Sequence, residues 1–401
     1  METQRQYHIP TGSHSQFWLV PVVCGLAAIL LGFSLIAVDH RFPGLTAPFL
    51  YQGSSSGARS SLNSIVTAMI SLTGMVFSLA FVAVQLSSGQ YSPRVVQIYM
   101  RDRIIQVTFG VFVATFLYAL VVAQSVKADA RVPRIAASVA ALLVVGSALT
   151  FMLYVGRVAY MMRASTIIAE IADMASALLE ETYPAGTASP LTAGMLPEPH
   201  RVIAASQRGV LAGMNTEALA KQAAQAGCVV ELRLRIGDFV PKGAPLFTVH
   251  GEPDDLDRLV AGARKQLTLG TERSMAEDVA FGFRLLVDMI EKALSPSVND
   301  PTTACQALDA LHDLLRQLAT RAPVSEAICG PDGEVRLVIP RYQFADLLEV
   351  TVRETRTYGS DAAQVPDRID RMLADLAEAA RPEHRDAVRR MMRQIDAKVS
   401  A

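Results

Sequence analysis

Four stretches of this chain are long enough and free enough of charge to cross a lipid bilayer, and no feature constrains the fold more. They run over 17–38, 64–86, 104–126 and 135–158, each near the ~20 apolar residues that a membrane-spanning helix needs. No Asp, Glu, Lys or His lies inside any of them, and Arg157 sits at the very end of the fourth. Nothing resembling a cleavage site precedes Asp39-His40-Arg41, so the first stretch reads as a retained span rather than a signal peptide. A chain that is 51% hydrophobic and 19% charged is therefore expected to be a polytopic α-helical membrane protein. Its lipid-facing surface accounts for the excess of apolar residues.

The net charge of −1 conceals two unlike halves. Residues 1–158 carry 10 Lys/Arg against 4 Asp/Glu, a net of +6, and the remainder carries 27 against 34, a net of −7. The expected organisation is a transmembrane domain over 1–158, a connecting amphipathic helix over 159–183 and a Pro/Gly/Ser/Thr linker over 184–199. A small β-rich module over 200–250 and a mainly helical soluble domain over 254–401 follow. The fold class is thus four transmembrane helices plus a C-terminal α+β soluble domain, mostly helical.

Lys/Arg counts near the span ends, six on one side against five on the other, do not decide orientation. Cys228, Cys305 and Cys329 in the soluble part form no metal-like or paired spacing, which suits a reducing compartment. The soluble part is accordingly expected in the cytoplasm.

The second span carries the strongest pattern. Ser64, Thr67, Ser71, Gly74 and Ser78 follow a 3-4-3-4 spacing, and Gln85 continues it seven residues on, so all six share one helix face. Small hydroxylated residues favour close helix packing in membranes. The same face could instead line a pore in an oligomer. Both readings stay open. In the third span Gly110 and Ala114 have small-xxx-small spacing, a packing contact. The loop Gln90-Tyr91-Ser92-Pro93-Arg94 is expected at the headgroup level.

In the soluble half, strand patterning covers Arg201–Ala205 and Val229–Leu234, and Thr216–Gln225 is helix-prone. Gly237 and Gly243 punctuate a strand–turn–strand segment. Ser274-Met-Ala-Glu277 has capping-box form. A polar elbow, Ser295-Pro296-Ser297-Val298-Asn299-Asp300-Pro301-Thr302, separates two helical patterns. Within it Asp300-Pro301 reads as an N-cap followed by Pro at the first helical position. The elbow is either a plain connection or a loop for a partner or ligand. Pro331-Asp332-Gly333 predicts a hairpin, and helices are expected around Tyr342–Arg356 and Pro366–Lys398.

Catalytic chemistry is absent from the pattern. There is no phosphate-binding glycine loop, no nucleophile elbow, and no zinc or intramembrane-protease motif. The seven His are scattered. Neither an enzyme nor a metal or cofactor protein is expected, and the acidic soluble half disfavours nucleic acid. Without an intramembrane ionisable group, proton-coupled transport is disfavoured as well.

Three stretches together carry a family resemblance: SLTGMVFSLAFVAVQLSSGQYSPR (71–94), RIGDFVPKGAPL (235–246) and ALSPSVNDPTTA (293–304). The set resembles the bacterial "domain of unknown function 2254" family of predicted membrane proteins, departing from its pattern at Ser297 and Ser274. The resemblance implies a bacterial inner-membrane protein and brings no activity with it. Two functions remain from the sequence. One is a homo-oligomeric channel lined by the second span and regulated by a cytoplasmic domain. The other is a non-conducting signalling or scaffold protein whose soluble domain binds a partner or small ligand.

Overall fold

The computed structural model describes residues 13–42, 50–90, 102–126, 132–183 and 196–399. The chain divides into two compact units, Met1–Thr166 and Ile167–Ala401.

The first unit consists of α1 (Ser13–Arg41), α2 (Ser55–Gln90), α3 (Arg103–Ser125) and α4 (Arg134–Met161). Each is long and apolar enough to cross a membrane, with a mean hydropathy of 2.6 for α1 and 2.2 for the other three. These are the four spans expected from the sequence. At ~1.5 Å per residue the 36 residues of α2 exceed the ~30 Å hydrocarbon core. Its first two turns, rich in Ser, extend the apolar stretch.

Helix α3 is the centre of this unit and packs on α1, α2 and α4. Its faces are shaped by small residues: a Cβ on Gly25 or Gly32 of α1 would meet Leu117 at 2.9 Å or Val121 at 3.1 Å, and one on Gly110 would meet Cys24 Sγ at 3.0 Å. Close backbone approach maximises dispersion contact where lipid tails offer no hydrophobic incentive to pack. A core cluster of Ala28, Leu62, Tyr118, Ala119, Val122 and Ala136 lies between the helices. Leu30, Leu142, Met152 and Leu153 point outward, each about two-thirds exposed or more, the arrangement of side chains that face lipid.

Two carboxylates at the span ends close the helix termini. Pro133 stands at the N-cap of α4 and provides no side-chain acceptor. Asp39, from the end of α1, supplies it, accepting from Ile135 N at 3.1 Å and Ala136 N at 3.0 Å. Asp102 caps α3 through Ile104 N and Ile105 N and also takes Arg157 Nε at 2.8 Å. Free N–H groups at membrane helix ends thus find anionic partners.

The second unit begins in α5 (Ala164–Thr182), which buries Ile167, Ile168, Ile171, Ala175 and Leu179 on one face. The helical pattern across 160–183 is therefore interrupted once, by a turn at Met162–Arg163 where Arg163 N bonds Tyr160 O. Then follow β1 (Pro199–Ala204), β2 (Gly209–Met214), α6 (Thr216–Gln225), β3 (Val229–Leu232), β4 (Phe239–Val240), β5 (Pro245–His250), α7 (Leu256–Gln266) and β6 (Leu267–Gly270). The C-terminal part adds α8 (Val279–Ala293), α9 (Pro301–Ala319), β7 (Ala327–Cys329), β8 (Val335–Val338), α10 (Phe344–Gly359), α11 (Gln364–Ala379) and α12 (Pro382–Val399).

The strands form a five-stranded sheet in the order β1-β5-β3-β8-β7 and a three-stranded sheet in the order β4-β2-β6. Strand β3 pairs antiparallel with β5 and parallel with β8, placing Val230 beside Leu337. The sheet therefore runs across the boundary expected near 250. Val229, Val230 and Leu232 of β3 are buried, and the edge of β3 away from β5 is paired by the hairpin β7–β8. The core includes Leu211, Leu219, Val230, Phe247, Val249 and Leu337.

Two local expectations differ from the structure. Helix α8 does not start at Ser274. Its N-cap is Asp278, which accepts from Phe281 N, while Glu277 is drawn away to accept from Met214 N at 3.0 Å. The C-terminal helical region is three helices rather than two, broken at Arg381-Pro382 because Pro cannot continue the ladder of the preceding helix.

Candidate functional site

On α2 the packed face is Leu62, Met69, Val76 and Ala83, all buried. Ser64, Ser71, Ser78 and Gln85 each follow one of these by two positions, which is ~200° around the helix. With Thr67 and Gly74 they form one stripe, and all six are exposed. A Cβ built on Gly74 meets nothing within 4 Å. Packing among the described residues therefore does not account for the stripe. Three of its hydroxyls donate to their own helix: Ser64 to Ser60 O at 2.9 Å, Thr67 to Asn63 O at 3.1 Å and Ser71 to Thr67 O at 3.1 Å. Each hydroxyl spends its single proton inward and leaves its oxygen lone pairs outward.

Polar groups on the packed side bond within the unit. Tyr154 donates to Val76 O at 2.8 Å, Thr115 and Ser147 lie 2.9 Å apart, and Tyr118 donates to Ala136 O at 2.9 Å. Gln90 ends α2. Tyr91, Ser92, Pro93 and Arg94 lie outside the described residues.

The elbow between α8 and α9 is held by its own bonds. Ser295 Oγ donates to Lys292 O at 2.7 Å, Asn299 N to Ser295 O at 2.9 Å and Asp300 N to Ala293 O at 2.7 Å. The Asp300 carboxylate accepts from Thr303 N at 3.0 Å and Thr303 Oγ1 at 2.6 Å. Those two bonds hold its pKa below the usual carboxylate range. Pro301 opens α9 as read from the sequence. Asn299 has φ 48°, a left-handed conformation that Asn tolerates better than most residues. Pro296, Ser297, Val298, Asn299 and Thr302 are exposed, so a braced loop presents a small polar surface with one apolar side chain.

Three carboxylates gather around Arg284 on α8. Its Nε meets Asp288 at 2.6 Å, its Nη2 meets Glu291 at 3.4 Å and its Nη1 bonds Glu354 of α10. Burial, and a hydrogen bond shared with Glu354, push Glu291 up to about 7. The same hydrogen bond, followed by that from Arg284, holds Glu354 below its ordinary value. Asp288 and Glu291 stand at helical spacing from Arg284, four and seven residues on; Glu354 lies 70 positions from Arg284. Among the described residues no three His, Cys, Asp or Glu are grouped to hold a metal ion.

Residues 14–375 match the family described as "Predicted membrane protein (DUF2254)". The chain belongs to this family. Two proteins of similar sequence are uncharacterised proteins from Mycobacterium bovis and Mycobacterium tuberculosis. Each is 26% identical over 387 residues, covering 92% of this chain and 74% of the relative. No solved structure matches. Of the three stretches that carry the DUF2254 resemblance, residues 71–90 of the first fall on the C-terminal half of α2, the second on the turns from β3 to β5, and the third on the α8–α9 elbow.

In the second of these, Gly237 has φ +95° and its backbone rests on a part-buried ion pair. Arg273 grips Asp278 through Nε at 2.8 Å and Nη2 at 3.1 Å. The Asp278 side chain is 2% exposed and that of Arg273 26%, so the carboxylate is shielded from water, and it also caps α8. Nearby, Arg235 lies 4.6 Å from the Tyr342 ring centroid, and Tyr183 donates to Tyr342 O at 2.7 Å. This DUF2254 segment is thus tied to the N-terminal cap of α8 and to Tyr342, which precedes α10.

Proposed function

We propose that the protein is a homo-oligomeric channel of the bacterial inner membrane, lined by α2 and regulated by a soluble unit in the cytoplasm. The observation that supports this is the stripe of Ser64, Thr67, Ser71, Gly74, Ser78 and Gln85, exposed on the helix face opposite the packed one. Gly74 in a helix interior costs ~0.5–1 kcal/mol relative to Ala, and no neighbour among the described residues requires it to be small. Several copies arranged about an axis would give the stripe a role. Hydroxyls whose lone pairs face outward suit cations better than anions.

The test is conductance of purified protein in planar bilayers, comparing wild type with Ser71→Leu/Ser78→Leu. The expected result is cation-preferring conductance that the double substitution abolishes or reduces several-fold. Silent bilayers, or conductance indifferent to both changes, end this reading. A second reading has one observation in its favour. The Ser295–Thr302 elbow is rigidly braced yet exposes Val298 at 39%, which suits a non-conducting scaffold whose soluble unit binds a partner there. Silent bilayers together with a partner lost on Val298→Asp would favour it.

A further inference from the structure

Helix α12 carries positive charge that the described residues do not answer. It seats one face on α10 and α11, burying His384 and Val388 and half-burying Met391 and Ile395. The other face shows Arg385, Arg389 and Arg393, which recur every four residues and so fall within ~80° of one another around the helix. Arg390 flanks them, and all four are exposed. Residues 385–394 hold four Arg against one Asp, a net of +3, inside a half of the chain whose net charge is −7.

Elsewhere in the second unit arginines are matched to carboxylates: Arg273 to Asp278, Arg316 to Asp375, Arg336 to Asp332 and Arg368 to Asp309. Among the described residues no carboxylate forms an ion pair with Arg389, Arg390 or Arg393, although Asp386 stands at helical spacing from the first two. Arg385 donates through Nε to Ala380 O at 3.0 Å, which orients its guanidinium without neutralising it.

Three features narrow the partner. The cations are all Arg, with no Lys in 385–394, and a planar guanidinium grips phosphate oxygens two at a time. Met392, 37% exposed, follows Arg389 by three residues and precedes Arg393, so an apolar side chain stands beside the row. A basic face with an apolar side chain suits phosphates laid over hydrocarbon. Finally, α5 opens at Ala164, three residues after α4 closes at Met161. The second unit is thus tethered to a membrane helix, and the tether keeps phospholipid at high effective concentration.

We propose that the exposed face of α12 binds anionic phospholipid headgroups of the bilayer that holds the four spans, adding a peripheral contact to the transmembrane anchor. Each arginine brought to an anionic surface strengthens binding roughly fivefold. The attraction decays over about 10 Å at roughly 0.1 M salt. Helix α12 lies beyond residues 14–375, the part matched to the family. Lipid binding here requires no conduction, and silent bilayers leave it standing.

The sequence has a single Trp, Trp18, so Trp18→Phe/Met392→Trp places one reporter on α12. The full-length protein with these two changes is reconstituted in nanodiscs that contain a headgroup-spin-labelled lipid, in phosphatidylcholine alone or with phosphatidylglycerol added. Quenching of the reporter should rise several-fold with phosphatidylglycerol. It should fall back in high salt or when Arg389→Gln/Arg393→Gln is added. The control Arg353→Gln, whose arginine pairs with Glu349, should leave the rise intact. Equal quenching in both lipids, or a rise indifferent to the two arginine changes, would overturn lipid binding. If the reporter protein does not fold, phenylglyoxal modification of the unaltered protein decides. Arg389, Arg390 and Arg393 should then react several-fold more slowly in phosphatidylglycerol nanodiscs than in phosphatidylcholine. Equal rates, as an acidic face of a second copy covering them would give, overturn it as well.

Discussion

Gly237 is held by two independent demands. Its φ of +95° is a region where L side chains are strained, and an added Cβ would collide with Asp278 Oδ2 and lie 2.8 Å from Arg273 Nε. Gly243 has a similar φ of +88° but meets nothing within 4 Å. Gly243→Ala is therefore expected to cost ~1–3 kcal/mol, the conformational part alone. Gly237→Ala should cost clearly more, since it also displaces an ion pair whose carboxylate is buried; equal losses in chemical unfolding would refute the steric argument. The sequence marks both glycines as turn residues. It is silent on the pair beneath Gly237, because Arg273 and Asp278 come from a later segment. His384 makes a second prediction at this scale. It is buried, with Nε2 3.0 Å from Arg321 O and its ring 4.8 Å from that of Phe344. Burial lowers its pKa from the usual 6.5. The neutral ring is thus favoured on folding, and its stabilisation is present above about 6.5 and lost as pH falls. His384→Gln should flatten the loss of stability below about pH 6.5; an unchanged slope would show that His384 is not responsible.

Among the elements, the α8–α9 elbow was the most legible. Asp300-Pro301 reads as a helix start because cap and ring each satisfy a local requirement that no distant residue alters. Asp300→Ala should cost ~1 kcal/mol of stability, and Asn299→Gly should be neutral or stabilising because it relieves the left-handed backbone. A stabilising Asp300→Ala would contradict the capping role. Ser274 shows the limit of the same reasoning. Its capping-box spacing is correct, yet Glu277 is engaged by Met214 N and Asp278 by both Arg273 and Phe281 N. Tertiary partners therefore move the helix start. On α2 the 3-4 spacing identified the stripe from sequence. Only the structure places it opposite Leu62, Met69, Val76 and Ala83, because spacing defines a face without saying what covers it.

At the scale of the whole molecule, charge-free length is enough to find four membrane helices, since the bilayer imposes its thickness on each span separately. The sheet is different, because its neighbours are chosen by pairing across the chain. Strand β3 takes β5 on one side and β8 on the other, and Val230 waits for Leu337. During synthesis at ~5–20 residues per second, that partner emerges roughly 5–20 s later. Until then the nascent sheet ends in an open strand edge of the kind that recruits other chains. A product truncated before Val335 keeps that edge permanently. It should therefore aggregate through its C-terminal half even though every membrane helix is already complete.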